Sequence, residues 1–140
     1  MKTVQRLLLT TSMMLLLASA SIAADKTEPT AMPAPTTVYQ AKSPITLQSG
    51  EYELLSMIME AAPGVGVPRH KHGGQVLVLV LSGELTLRQN GTERVMKTGD
   101  SWTENAGDEH SVINTGNVTA RVAVSMVLPK GAEATTIIKP

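Results

Sequence analysis

The sequence predicts an all-β domain, a sandwich or small barrel of short antiparallel strands. Three observations carry this. From Ile45 onward, short apolar runs are separated by Gly, Asn, Asp and Thr clusters at close spacing. No segment in that region shows the 3.6-residue period of an amphipathic helix. Asn90-Gly91 stands between two alternating runs, the strongest short hairpin signal a sequence offers.

The elements follow in order. Tyr52 to Glu60 is the first strand, and the stretch holding His70 and His72 reads as the next. Gln75 to Leu81 and Glu84 to Gln89 follow, then Thr92 to Lys97 returns from the Asn90-Gly91 turn. Thr98-Gly99-Asp100 turns into a short strand, Ser101 to Glu104. Ser111 to Asn114 is another, and Thr115-Gly116-Asn117 turns into Thr119 to Leu128. The run Val76 to Leu81 has no polar face. As a strand it puts Val76, Val78 and Val80 on one side and Leu77, Leu79 and Leu81 on the other, so both sides need cover. The valines suit a barrel interior. The leucines call for the N-terminal arm or a second subunit, which predicts a homodimer.

The chain of 140 residues suffices for one domain. Residues 1–23 read as a secretory signal: Lys2 and Arg6, an apolar run from Leu7 to Leu17, and Ser21-Ile22-Ala23 as a small-x-small cleavage site. Residues 24–44, with Pro29, Pro33, Pro35 and Pro44, read as an extended arm. Residues 45–130 form the barrel and 131–140 a C-terminal tail. Loss of the signal leaves 10 basic residues against 12 acidic. No basic stripe points to nucleic acid, and no anchor remains in a membrane after cleavage. With no cysteine there is no disulfide framework, which favours a bacterial periplasm over other exterior compartments. Asn90-Gly91-Thr92 and Asn117-Val118-Thr119 match the glycosylation pattern but read first as turns.

There is no phenylalanine, and the aromatic residues are Tyr39, Tyr52 and Trp102. The core is therefore Val, Leu, Ile and Met, and any pocket is aliphatic. Met57, Met59, Met96 and Met126 read as gap-filling core residues, and Trp102 as core or pocket lining.

All three histidines fall where one ion can hold them. His70 and His72 are alternate residues of a strand and point to one face. His110 follows the turn-rich run Glu104 to Glu109. Imidazole is a common ligand for zinc, iron, copper and nickel. Among the nearby carboxylates, Glu104 is the candidate for an acid/base or supporting role. The alternative is a solvated charge at a strand end. Gln75 reads as a turn residue, and Lys71, between the histidines, as solvent-facing.

This pattern resembles the cupin superfamily. Its first motif is Gly, five residues, His-x-His, three or four residues, Glu, six residues, Gly. Gly64, His70, His72 and Gly83 match it here, and the glutamate position holds Val76. Its second motif is Gly, five residues, Pro-x-Gly, two residues, His, three residues, Asn. Gly99, Gly107, His110 and Asn114 match, with Asn105 in the proline position. The resemblance covers residues 64–114. It implies a double-stranded β-helix, or jelly-roll, barrel with His70, His72 and His110 as ligands of a divalent metal. With valine in place of the usual anionic ligand, the implied site is three neutral imidazoles. Cupin-type thiol dioxygenases work with three histidines. The implied function is thus a dioxygenase-like oxidoreductase acting on a small molecule, with iron as the metal. Zinc, copper, manganese or nickel fit the same ligands. The alternative is a periplasmic module that binds a metal or small ligand without turning it over. Sugar isomerase or epimerase chemistry is disfavoured by the apolar wall of Val76, Val78 and Val80.

Overall fold

The computed structural model of the protein describes residues 35–139. The expected signal, residues 1–23, and the arm up to residue 34 lie outside the described residues. The remainder of the arm has no regular structure and is almost wholly exposed. Among the described residues no helix forms, and none is long and apolar enough to cross a membrane.

Nine strands follow: β1 (Tyr52–Ala61), β2 (Gly66–Lys71), β3 (Gln75–Ser82), β4 (Glu84–Gln89), β5 (Thr92–Lys97), β6 (Ser101–Glu104), β7 (His110–Ile113), β8 (Ala120–Pro129) and β9 (Thr136–Ile137). They form a four-stranded sheet ordered β1-β8-β3-β6 and a five-stranded sheet ordered β5-β4-β7-β2-β9. Every pairing is antiparallel. The β4–β5 hairpin turns at Asn90 (φ 52°) and Gly91 (φ 71°). These are the two positive φ angles that a two-residue turn matched to strand twist requires.

The inner faces of the two sheets share one aliphatic core. Val76, Val78 and Val80 of β3 and Val122, Val124 and Met126 of β8 come from the first sheet; Leu85 and Leu87 of β4 come from the second. The leucines alternating with the β3 valines face outward, as the strand pattern predicts, and Leu81 is 38% exposed. Asn114 closes the far corner. It is buried, donates from Nδ2 to the Ala61 and Val118 carbonyls, and accepts from the Gly116 amide.

Two features bear on the histidines. Along β2 the register shifts between Val67, opposite Val112, and His70, opposite His110. Pro68 and Arg69 together oppose Ser111, a β-bulge of the kind that tolerates proline. In a regular strand with Val67 facing inward, Arg69 would follow it inward and His70 would point out. The bulge reverses this and turns His70 into the core. The second feature is β9. The C-terminal tail pairs with β2 at His70 and Lys71, and the Gly73 amide donates to the Glu133 carbonyl. Gly73 and Gly74 allow this packing: a β-carbon at Gly73 would meet the Glu133 carbonyl, and one at Gly74 the Val127 carbonyl.

Candidate metal centre

His70 ends the inward face of β2, His72 follows just beyond that strand, and His110 opens β7. All three are buried, and their nearest ligand atoms lie within 4.8 Å of one another. The ring centroids are 4.1 Å (His70–His110), 4.9 Å (His70–His72) and 5.2 Å (His72–His110) apart. The convergence expected from the spacing is therefore present, and the three imidazoles can hold a divalent ion.

Each ring is oriented by a backbone carbonyl. His70 Nδ1 donates to the Pro68 oxygen (2.7 Å), His72 Nδ1 to the Ala134 oxygen (2.7 Å) and His110 Nδ1 to the Asp108 oxygen (3.1 Å). Thr135 Oγ1 adds a second contact to His72 Nδ1 at 3.2 Å. A carbonyl can only accept, so these partners assign the proton to Nδ1 and leave a lone pair on each Nε2. Carbonyl-oriented imidazoles with a free Nε2 are the usual form of a histidine ligand.

Glu104 is the main departure from the sequence reading. The solvated strand-end alternative is overturned: the residue is 2% exposed and lies on the inner face of β6. Its Oε2 is 3.1 Å from His72 Nε2, and its Oε1 is 3.1 Å from His110 Nε2. Trp102, two residues earlier on the same face, donates from Nε1 to Oε1 at 2.6 Å. Register explains the position. Across the β3–β6 pairing, Glu104 stands opposite Val76. A carboxylate therefore enters the site from the neighbouring strand, beside the position where the family motif has its glutamate. Sequence spacing alone does not reveal this, because cross-strand register is non-local. The Trp102-x-Glu104 alternation was the available signal.

Burial pushes the Glu104 carboxyl up. The imidazoles of His110 and His72 and the Trp102 bond outweigh this and hold it at about 2. Burial lowers His70. Burial also acts to lower His110, but the adjoining Glu104 carboxylate outweighs it and raises that imidazole. In the neutral tautomers the Nε2 lone pairs face carboxylate oxygens, an opposition that either a proton on His110 Nε2 or a shared cation relieves. Glu104 Oε2 and His110 Nε2 are buried without a partner of hydrogen-bond geometry. Unpartnered polar atoms in a core are costly, and a cation among them removes that cost. The spacing agrees: two ligands about 2.1 Å from one ion and at right angles lie about 3.0 Å apart.

These groups form one end of a cavity of about 360 Å³ between the sheets, walled by Met57, Val78, Val122, Val124 and Met126. Met59 and Val65, 42% and 51% exposed, line it where it meets solvent. Gln75 and Lys71 do not line it; Gln75 is the first residue of β3, opposite Val127, and not a turn residue as the sequence suggested.

A jelly-roll of two antiparallel sheets, with inward histidines on β2, just past its end and on β7, is the architecture of small β-barrel proteins that carry a metal in the barrel. Residues 57–128, just over half of the chain, match the cupin domain, and the chain belongs to the cupin family. An oxalate-binding protein of Thermotoga maritima is 34% identical over 71 residues, which are 50% of this chain and 59% of that protein. The chain thus matches less than two thirds of that relative's length. The crystal structure of an uncharacterised conserved protein with a double-stranded β-helix domain, from Klebsiella pneumoniae, superposes with a TM-score of 0.53 at 26% identity, covering 76% of this chain and 90% of that one. A DMSP lyase from Ruegeria pomeroyi shares the fold, with a TM-score of 0.55 at 20% identity over 62% of this chain and 44% of that one.

Proposed function

We propose that the protein is a periplasmic metal-dependent cupin, a dioxygenase-like oxidoreductase acting on a small molecule. Its ion is held by His70, His72 and His110, with Glu104 as the anionic fourth ligand. One observation carries the reading: lone pairs of carbonyl-oriented imidazoles and a buried carboxylate are turned toward one another, with polar atoms left unpartnered. A bound iron would supply the Lewis acidity and redox capacity that oxygen chemistry needs. The chain's own residues supply the rest. The three Nδ1–H···O=C bonds fix the ligand tautomers. Trp102 fixes the carboxylate through Oε1. The valine and methionine walls exclude water from the reacting region. Glu104 Oε2, free of the Trp102 bond, is the oxygen turned toward the ion.

Metal analysis of protein purified from its native compartment, paired with oxygen uptake, tests this. Iron or copper with substrate-dependent oxygen uptake is the expected result. Zinc alone, without oxygen uptake, favours a second reading, a module that binds its ligand without turnover. The oxalate-binding relative supports that second reading. Absence of any metal at full folding overturns both. Glu104→Gln keeps the shape of the side chain and its acceptor for Trp102 but removes the charge. It is expected to lower affinity for cobalt or zinc by about 10- to 100-fold in titration. An unchanged affinity would remove Glu104 from the ligand set.

A further inference from the structure

The cavity is polar at one end only. Its polar lining is His70, His72, His110, Glu104 and Thr135 at the metal end, and Glu60 at the solvent end. Glu60 is already paired with Arg121 at 2.9 Å. The Trp102 N–H is taken by Glu104. Among the described residues no lysine, arginine, asparagine or glutamine lines the remainder. A ligand reaching inward from the ion therefore meets valine, methionine, leucine and alanine, and no donor for a second polar group. Three neutral imidazoles and one carboxylate leave a divalent ion with a single positive charge, enough to balance one anionic head. At about 30 Å³ of liquid volume per water, 360 Å³ has room for roughly a dozen small groups.

We propose that this cavity binds a small aliphatic monocarboxylate of about six to eight carbons, its carboxylate on the ion and its chain along the Val122, Val124 and Met57 wall. The inference rests on the metal-centre reading above and names the ligand class of the same site. It separates this chain from oxalate binding. An oxalate dianion would bring one charge too many and press its outer oxygens against hydrocarbon, with no donor to satisfy them. It would also leave most of the aliphatic space unfilled.

The test uses the cobalt-loaded protein, whose visible absorption reports a ligand joining the ion, with acetate, butyrate, hexanoate, octanoate and oxalate as probes. Affinity is expected to rise about three- to fourfold for each methylene added from acetate to hexanoate, and hexanoate is expected to bind more tightly than oxalate. Val124→Thr adds a hydroxyl to the wall at nearly constant volume. It is expected to weaken octanoate several-fold and leave acetate unchanged. Met57→Gln makes the same test at a half-buried position that folding tolerates better. Cobalt uptake with affinities flat in chain length, or led by oxalate, overturns the ligand class and leaves the metal centre standing. Failure to take up cobalt overturns both.

Discussion

At the scale of single residues, the site turns on Val76 and Glu104. Family spacing puts the missing glutamate at 76, which suggests that restoring it would strengthen metal binding. The structure alters that expectation, because a carboxylate already reaches the site from directly across the β3–β6 pairing. Val76→Glu alone would set two buried carboxylates side by side, a like-charge pair that raises one pKa and offsets the gain. The expected outcome is no increase in cobalt affinity for the single variant. Combined with Glu104→Val, however, the same substitution should recover affinity to within about tenfold of the native chain, because the charge returns at the neighbouring register position. Titration of the two single variants and the double variant decides it. A double variant as weak as Glu104→Val would show that the two positions are not equivalent. The histidines were legible in the sequence because both motifs are local and spacing is all they require. The role of Glu104 was not, because it depends on which strand lies beside which. Val76 and Glu104 are 28 positions apart in the chain and opposite one another in the sheet.

At the scale of elements, the alternation of short apolar runs placed most strands within a residue or two of where they fold, and β4, β5 and β6 as read. Two elements escaped. The β2 bulge leaves only a hint in the sequence, Pro68, and it decides which way His70 faces. β9 is two residues long, too short to show a period, yet the tail around it holds His72 through the Ala134 carbonyl and Thr135 Oγ1. Ending the chain after Lys130 removes both contacts and leaves β1 to β8 intact. Such a protein is expected to keep its strand signature in circular dichroism and to lose about 10- to 100-fold in metal affinity. Thr135→Val, which spares the carbonyl, should lose less than the truncation. Metal affinity unchanged on truncation would mean that β2 orients His72 unaided.

At the scale of the molecule, the outer face of the four-stranded sheet carries exposed apolar residues on either side of a Ser56–Ser125 pair. Leu54 and Ile58 of β1 are 76% and 60% exposed, and across the β8 strand between them lie Leu77 and Leu79 of β3. Exposed apolar residues grouped in this way suit a contact with a second copy, and covering an exposed leucine such as Leu54 contributes about 1.5–3 kcal/mol. The chain is expected to sediment as a homodimer, and Ile58→Glu to shift it to monomer with its metal content unchanged. A native chain that stays monomeric at high concentration would remove the dimer and leave the barrel untouched.

The ligand atoms are divided between the sheets: Glu104 comes from the four-stranded one, His70 and His110 from the five-stranded one. An ion gripped by all of them is a tie through the middle of the sandwich, in a chain that has no cysteine with which to make a covalent one. Such a tie is exchangeable. Chelation is then expected to do to this protein what reduction does to a disulfide-stapled domain. At a free metal concentration 100 times the dissociation constant, the tie adds about 2.7 kcal/mol to folding stability. The melting temperature should climb with metal concentration and fall back when a chelator is added. The supply of metal around the protein would then set how stable the fold is, as well as whether the site is loaded.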